Sequence, residues 1–200
     1  MNAHPTISFS TLAKAMGPIR PTALAKLLHG HKYPTSGPRR AYQTARKQAV
    51  NLLVDNAPLD PEAPLRPYER DAVRALSRLP IQLPDWLRAA RPSTRPEIWT
   101  LNGVRISMHP DVDLRGRVES GAVKFSFTKA PLAPQVGSAM ASLLWYWRSR
   151  VLGVKTTQPA HCIVYEPRLP WKHLPAKNTA STLASAELAC KMIAAIWPLI

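Results

Sequence analysis

The sequence predicts an α+β protein, with a helical amino-terminal part followed by a β-β-α-β-α core. Three observations lead there. Apolar residues recur at helical spacing between Ser, Gly and Pro stops through the first half; alternation with period two first appears at Val104; and after Pro134 two long apolar stripes flank one short apolar strand. The segments expected are a basic helical region over 1–56, a Pro-rich connector with one helix over 57–98, and the α+β core over 99–200, all folding as one unit.

Taken in order, Ser10 is placed to cap TLAKAM, which Gly17 and Pro18 end, and Pro21 opens TALAKLLHG, which ends at Gly30. Two short helices around a Gly-containing turn suggest a helix-turn-helix motif, but Pro18 and Pro21 crowd the turn and Lys26 falls where that motif needs an apolar residue. A stronger helix is predicted from about Arg39 to Val54. Tyr42, Ala45, Ala49, Leu52 and Leu53 make its apolar side, while Arg39, Arg40, Gln43, Arg46 and Lys47 share the other.

APLDPEAPLR is a connector, and Pro67 opens PYERDAVRALSRL, whose alternating acids and arginines read as structural. A short helix is expected around Asp85 to Ala90, with Pro92 and Pro96 preventing more. Val104 to His109 and Ala122 to Phe127 alternate and read as a β-hairpin or adjacent antiparallel strands. Pro134 starts a long helix with Val136, Met140, Leu143, Leu144, Trp147 and Val151 on one stripe, stopped at Gly153. HCIVYEP is a short buried strand, and a last helix runs from about Thr182 to Pro198 through Ala186, Ala189, Cys190, Ile193 and Ile196.

Charge bounds the function. Of 200 residues, 27 are Lys or Arg and 12 Asp or Glu, a net charge of +15, while 46% hydrophobic residues leave ample material for a core. The first 54 positions hold eight of the cations and no acid. The helix face of Arg39, Arg40, Arg46 and Lys47 has no i,i+4 carboxylate to neutralise it, so it is either a solvated face or a surface for phosphates. DNA or RNA is the partner this implies, with a protein partner as the rival.

No apolar run reaches the roughly 20 residues of a spanning helix without a charge or proline, and no secretory signal pattern opens the chain. A cytoplasmic setting and no membrane partner are expected. Cys162 and Cys190 read as reduced packing residues, and no Cys/His spacing suits zinc, so no cofactor is expected. Trp171 and His173 read as an exposed loop cluster with Arg168 and Lys172.

The local pattern with most chemistry is His109-Pro110-Asp111 at a strand end and Val123-Lys124-Phe125 in the next strand. In order of elements this resembles the PD-(D/E)XK, or restriction endonuclease-like, superfamily. The resemblance implies a magnesium-dependent phosphodiester nuclease in which Pro110-Asp111 is the first half-motif, Lys124 the lysine, and Gln135 a glutamine at the start of the following helix. Magnesium enters only on that reading. The family wants an acid two residues before the lysine, and Ala122 stands there. Asp113 and Glu119 are the remaining carboxylates to complete a metal site with Asp111. The structural alternative is turn chemistry for the two aspartates and an edge-strand charge for Lys124.

KYPTSGPRRAYQTARKQAV, GVRISMHPDVDLRG with GAVKFSFTKAPL, and the terminal LACKMIAAIWPLI also resemble an uncharacterised bacterial protein family with the same succession of segments, which implies one evolutionary unit and no activity. The combined expectation is a nucleic-acid-associated protein whose nuclease-like core is degenerate. A basic adaptor module is the alternative, and a magnesium-dependent nuclease the second alternative.

Overall fold

The computed structural model describes residues 4–33, 42–63, 66–78, 83–92, 97–128, 130–168, 171–176 and 179–200. Their class is α+β. In chain order the elements are β1 Thr6–Ser8, α1 Phe9–Ala15, α2 Pro21–Lys32, α3 Gln43–Asp55, α4 Pro67–Leu76, β2 Arg88–Ala90, β3 Glu97–Leu101 and β4 Val104–Met108. Then come β5 Val112–Arg115, β6 Ser120–Phe125, α5 Pro134–Tyr146 with a π-helical turn Trp147–Val151, β7 Thr157–Glu166, β8 Trp171–His173 and α6 Thr179–Ile196.

Two sheets result. A small one has the order β1-β4-β3, and a five-stranded one the order β2-β5-β6-β7-β8, in which only β6 and β7 run parallel. The parallel pair needs a crossover, and α5 supplies it. Alternation along the strands then sorts the core. Val112, Leu114, Val123, Phe125, Ile163 and Tyr165 pack with Ala45 and Ala49 of α3 and Ala72, Val73 and Leu76 of α4. Ala122 and Val164 face the other way, into a core shared by α1, α2, α5, α6 and the small sheet. The amino-terminal segment is woven into this unit, since Thr6 to Ser8 pair with Arg105 to Ser107.

Prolines at the first helical position open α2, α4 and α5 where the sequence places them. Ser8 rather than Ser10 caps α1, its side chain accepting from Thr11 N at 3.1 Å. Other expectations are corrected. Val104–Met108 and Ser120–Phe125 do not pair with each other; they lie in different sheets. Asn102 (φ 47°) and Gly103 (φ 77°) form a tight turn that gives β4 its own partner, Glu97–Leu101. The polar stretch after His109 contains β5, which gives β6 its partner. The short helix expected at Asp85–Ala90 is absent: Leu87 N closes one turn on Pro84 O at 2.9 Å, and Arg88–Ala90 then extends as the edge strand beside β5. Strand pairing outweighs weak helix propensity there.

By length and composition, Ala180–Leu199 would suffice to cross a membrane, against the expectation that no run would. It carries Glu187 and Lys191, and Ala186, Ala189, Cys190 and Ile193 pack into the core.

Cys162 and Cys190 are free, fully buried thiols, each pushed up to about 12 from 9, chiefly by burial. A raised folded pKa gives stability that is complete below pH 9 and is lost as pH climbs from 9 through about 12. Cys162→Ala should therefore flatten the alkaline fall in stability by up to about 1.4 kcal/mol per pH unit. Urea midpoints at closely spaced alkaline pH values measure this slope, and equal slopes in the two proteins would contradict it.

Candidate functional site

The connection from β4 to β5 is His109-Pro110-Asp111, and it carries Asp111 to the end of the five-stranded sheet where β6 finishes. Asp111 N donates to Val123 O at 2.8 Å, extending the β5–β6 ladder by one residue. Its carboxylate is 4% exposed and fully engaged. Oδ2 accepts from Phe125 N at 2.7 Å; Oδ1 accepts from Lys124 Nζ at 3.0 Å. From α3, Arg46 Nε lies 3.4 Å from the same Oδ1, an ion pair without hydrogen-bond geometry. Lys124 Nζ also donates to His109 O at 2.8 Å. Burial holds the Lys124 ammonium below the usual lysine range, Asp111 pulls it back up, and Arg46 adds to the lowering.

Two residues along, Asp113 points to the same side of the strand and meets a second pair of cations. Arg148 Nη1 donates to Oδ1 at 2.7 Å and Arg115 Nη2 to Oδ2 at 3.3 Å. Arg148 comes from the π-helical turn, closed by Leu152 N on Trp147 O at 2.9 Å. Trp147 and Arg148, neighbours in sequence, are both buried in this turn. Beside them lies a cleft of about 250 Å³ lined by Glu97, His109, Asp113, Arg115, Trp147 and Arg148, among others.

The sequence-predicted residues thus divide. Asp111, Asp113 and Lys124 come together. Glu119 does not: Arg115 pairs with Ser120, so Glu119 sits beyond the far end of β5, about 16 Å from Asp111 at 3.3 Å per residue. There Glu119 Oε2 accepts from Trp86 Nε1 at 2.9 Å and meets His161 Nε2 at 3.0 Å, contacts that hold its carboxyl below the usual range. Among the described residues no group of three His, Cys, Asp or Glu side chains could hold a metal ion. Asp111 and Asp113 are each bound by two cations, so this donor set gives magnesium chemistry no support. Ala122, where the family pattern wants an acid, is fully buried between Asp113 and Cys162 in the strand register. Gln135 lines a groove with Met16 and Thr182, away from the Asp111 cluster.

Arg39 and Arg40 lie outside the described residues. Arg46 bends onto Asp111 with its side chain 43% exposed, and Lys47 is exposed. A chain of contacts leads from here along the end of the sheet. Arg46 N donates to Tyr42 O at 2.9 Å; the Tyr42 ring stacks on Phe127 and meets Tyr68 edge-on; Arg66 Nη1 donates to Tyr68 OH at 3.1 Å. Beyond Phe127, Arg168 Nη1 reaches Thr128 O at 3.5 Å. Glu69, buried beneath, accepts from Thr44 N at 3.2 Å. Cations are turned outward here, and the carboxylates of Asp111 and Glu69 inward.

Sequence reasoning missed Arg148, Arg115 and Arg66. It also missed a buried Glu166–His173 pair, in which Glu166 Oε2 meets His173 Nε2 at 3.1 Å and Oε1 accepts from Leu132 N at 2.8 Å. The cluster is the edge strand β8 rather than a loop, with His173 buried and Trp171 and Lys172 exposed. An arginine directly after a stripe tryptophan is the one signal that marked Arg148. No family model, no curated protein and no solved structure matches the chain.

Proposed function

We propose that the protein binds the phosphate backbone of DNA or RNA across the end of the five-stranded sheet, without strong sequence selection. One observation carries this reading. Arg46, Lys47, Arg66 and Arg168 reach the surface there, while Asp111 and Glu69 are buried and occupied by lysine, arginine and backbone N–H groups. A net charge of +15 adds a long-range pull on any polyanion. Arg39 and Arg40 enter this interface from the sequence pattern. Asp111 and Lys124 serve as a clamp between the hairpin and α3, so the nuclease-like arrangement holds nucleic acid without cutting it.

Salt titration tests it. Binding to duplex and single-stranded probes should weaken steeply with salt, and Lys47→Gln/Arg66→Gln should make the duplex slope shallower by about 0.9 per lost contact. Affinity at fixed salt should fall at least about tenfold, alike on all sequences. Absent binding at low salt, or binding flat with salt, would sink the reading and leave the basic adaptor module in its place. Magnesium-dependent cleavage lost on Asp111→Asn would instead restore the nuclease.

A further inference from the structure

We propose that the cleft beside the π-helical turn is a phosphate site, in which Arg148 and Arg115 grip one phosphate group and Asp113 holds the two guanidinium groups in place. Arg148 is the central observation. Its side chain is 9% exposed and, among the described residues, makes one hydrogen bond, to Asp113 Oδ1, while its buried Nε has no acceptor. An arginine is seldom buried so deeply unless a partner uses its donors. Asp113 is shared with Arg115, so one carboxylate in contact distance answers two guanidinium groups. The two guanidinium groups carry about ten N–H donors between them, and Asp113 takes two.

The cleft narrows the ligand. At about 250 Å³ it is below the usual size of a cofactor pocket, so it takes a compact group rather than a base or a ring system. Guanidinium forks match the oxygens of a tetrahedral phosphate, and a phosphate brings the charge that Asp113 leaves uncompensated. Glu97 also lines the cleft; its exposed carboxylate opposes any anion there, screened by solvent, and accepts from a hydroxyl beside the phosphate. A phosphomonoester flanked by a sugar hydroxyl meets both conditions. The β4–β5 connection separates this cleft from the end-of-sheet interface, since His109 and Pro110 line it while Lys124 holds His109 O. The phosphate chemistry has two sources, a free phosphate ion or the terminal phosphate of a nucleic acid, and only the second rests on the nucleic-acid reading above.

Inorganic phosphate titrated into the full chain at constant ionic strength, followed by arginine Nε–H resonances, should bind saturably. Arg115→Gln, on an exposed side chain, should weaken it about tenfold, as should Arg148→Lys, which keeps the charge and loses the fork. Lys191→Gln, on α6, removes one charge elsewhere and should leave it unchanged. Should Arg148→Lys fail to fold, the Arg115 comparison still decides. A short oligonucleotide with a 5′-phosphate binding more tightly than its 5′-hydroxyl form, with the difference lost in Arg115→Gln, assigns the site to nucleic-acid ends. Equal binding of the two oligonucleotides, with the phosphate titration intact, assigns it to free phosphate. No saturable phosphate binding, or equal weakening by Arg115→Gln and Lys191→Gln, overturns the site. Loss of salt-dependent polymer binding with the phosphate titration intact would reject the interface and leave the cleft standing.

Discussion

Asp111→Ala should lower the unfolding free energy by about 3–5 kcal/mol at neutral pH, the cost of breaking a buried ion pair from one side. Three losses add there. Phe125 N loses its acceptor inside the sheet, Arg46 loses the anchor that draws α3 onto the hairpin, and Lys124 keeps a largely buried ammonium with only His109 O to bind it. The last dominates. Burial already holds Lys124 below the usual lysine range with Asp111 in place, and without that carboxylate its pKa should fall further. A depressed folded pKa gives stability that is present above the unfolded value and lost as pH falls through the folded one. The deficit of Asp111→Ala should therefore be largest at neutral pH and shrink as pH approaches 10.5, the ordinary lysine value. Adding Lys124→Met should recover a substantial part at pH 7, because an apolar pair replaces a stranded charge. Urea unfolding of the single and double variants at neutral and alkaline pH measures all of this. A single-variant cost below about 1 kcal/mol would show that Asp111 is an ordinary surface acid.

The residues of this clamp were legible one by one, because a Pro-Asp at a strand end and a lysine in the following strand mark a hairpin mouth. Their roles were not. Local patterns reveal which residues share an element, and Pro21, Pro67 and Pro134 mark helix starts well because φ and the missing N–H act within one turn. What Asp111 touches depends on α3, some sixty-five positions earlier, and on β6, and no periodicity in 109–113 reports either. β5 escaped notice because its four residues, Val112–Arg115, alternate apolar and charged within a stretch that also reads as turn chemistry. Without β5, Val104–Met108 was left to pair with Ser120–Phe125, although Asn102-Gly103 is the stronger local hairpin signal. Arg148 stayed hidden for a different reason. An arginine one position after a stripe tryptophan falls off the apolar stripe that periodicity marks, yet Arg148 is buried with Trp147 in the π-helical turn.

Ala122→Glu, which restores the acid of the nuclease pattern, should destabilise the protein by about 3 kcal/mol or more and create no magnesium-dependent cleavage. Position 122 is fully buried, with Asp113 and Cys162 as its register neighbours on either side and α5 packed over that face. Four added heavy atoms, three of them a carboxylate, must displace packed neighbours there, so overpacking comes first and desolvation of the charge adds to it. The Arg148 guanidinium is close enough to act on the Cys162 thiol, but Asp113 already holds it, as Asp111 holds Lys124 two residues on. A glutamate that captured Arg148 would leave Asp113 with the exposed Arg115 alone, trading one buried ion pair for another. The motif's two acids would be Asp111 and residue 122, and Asp111 is already held by Lys124 and Arg46, so an acid at 122 meets no free carboxylate with which to share a metal. Thermal unfolding gives the cost, and incubation of labelled DNA with magnesium and manganese gives the activity. A stable Ala122→Glu protein that cuts DNA would reverse this conclusion and make the wild-type core a nuclease lacking a single side chain.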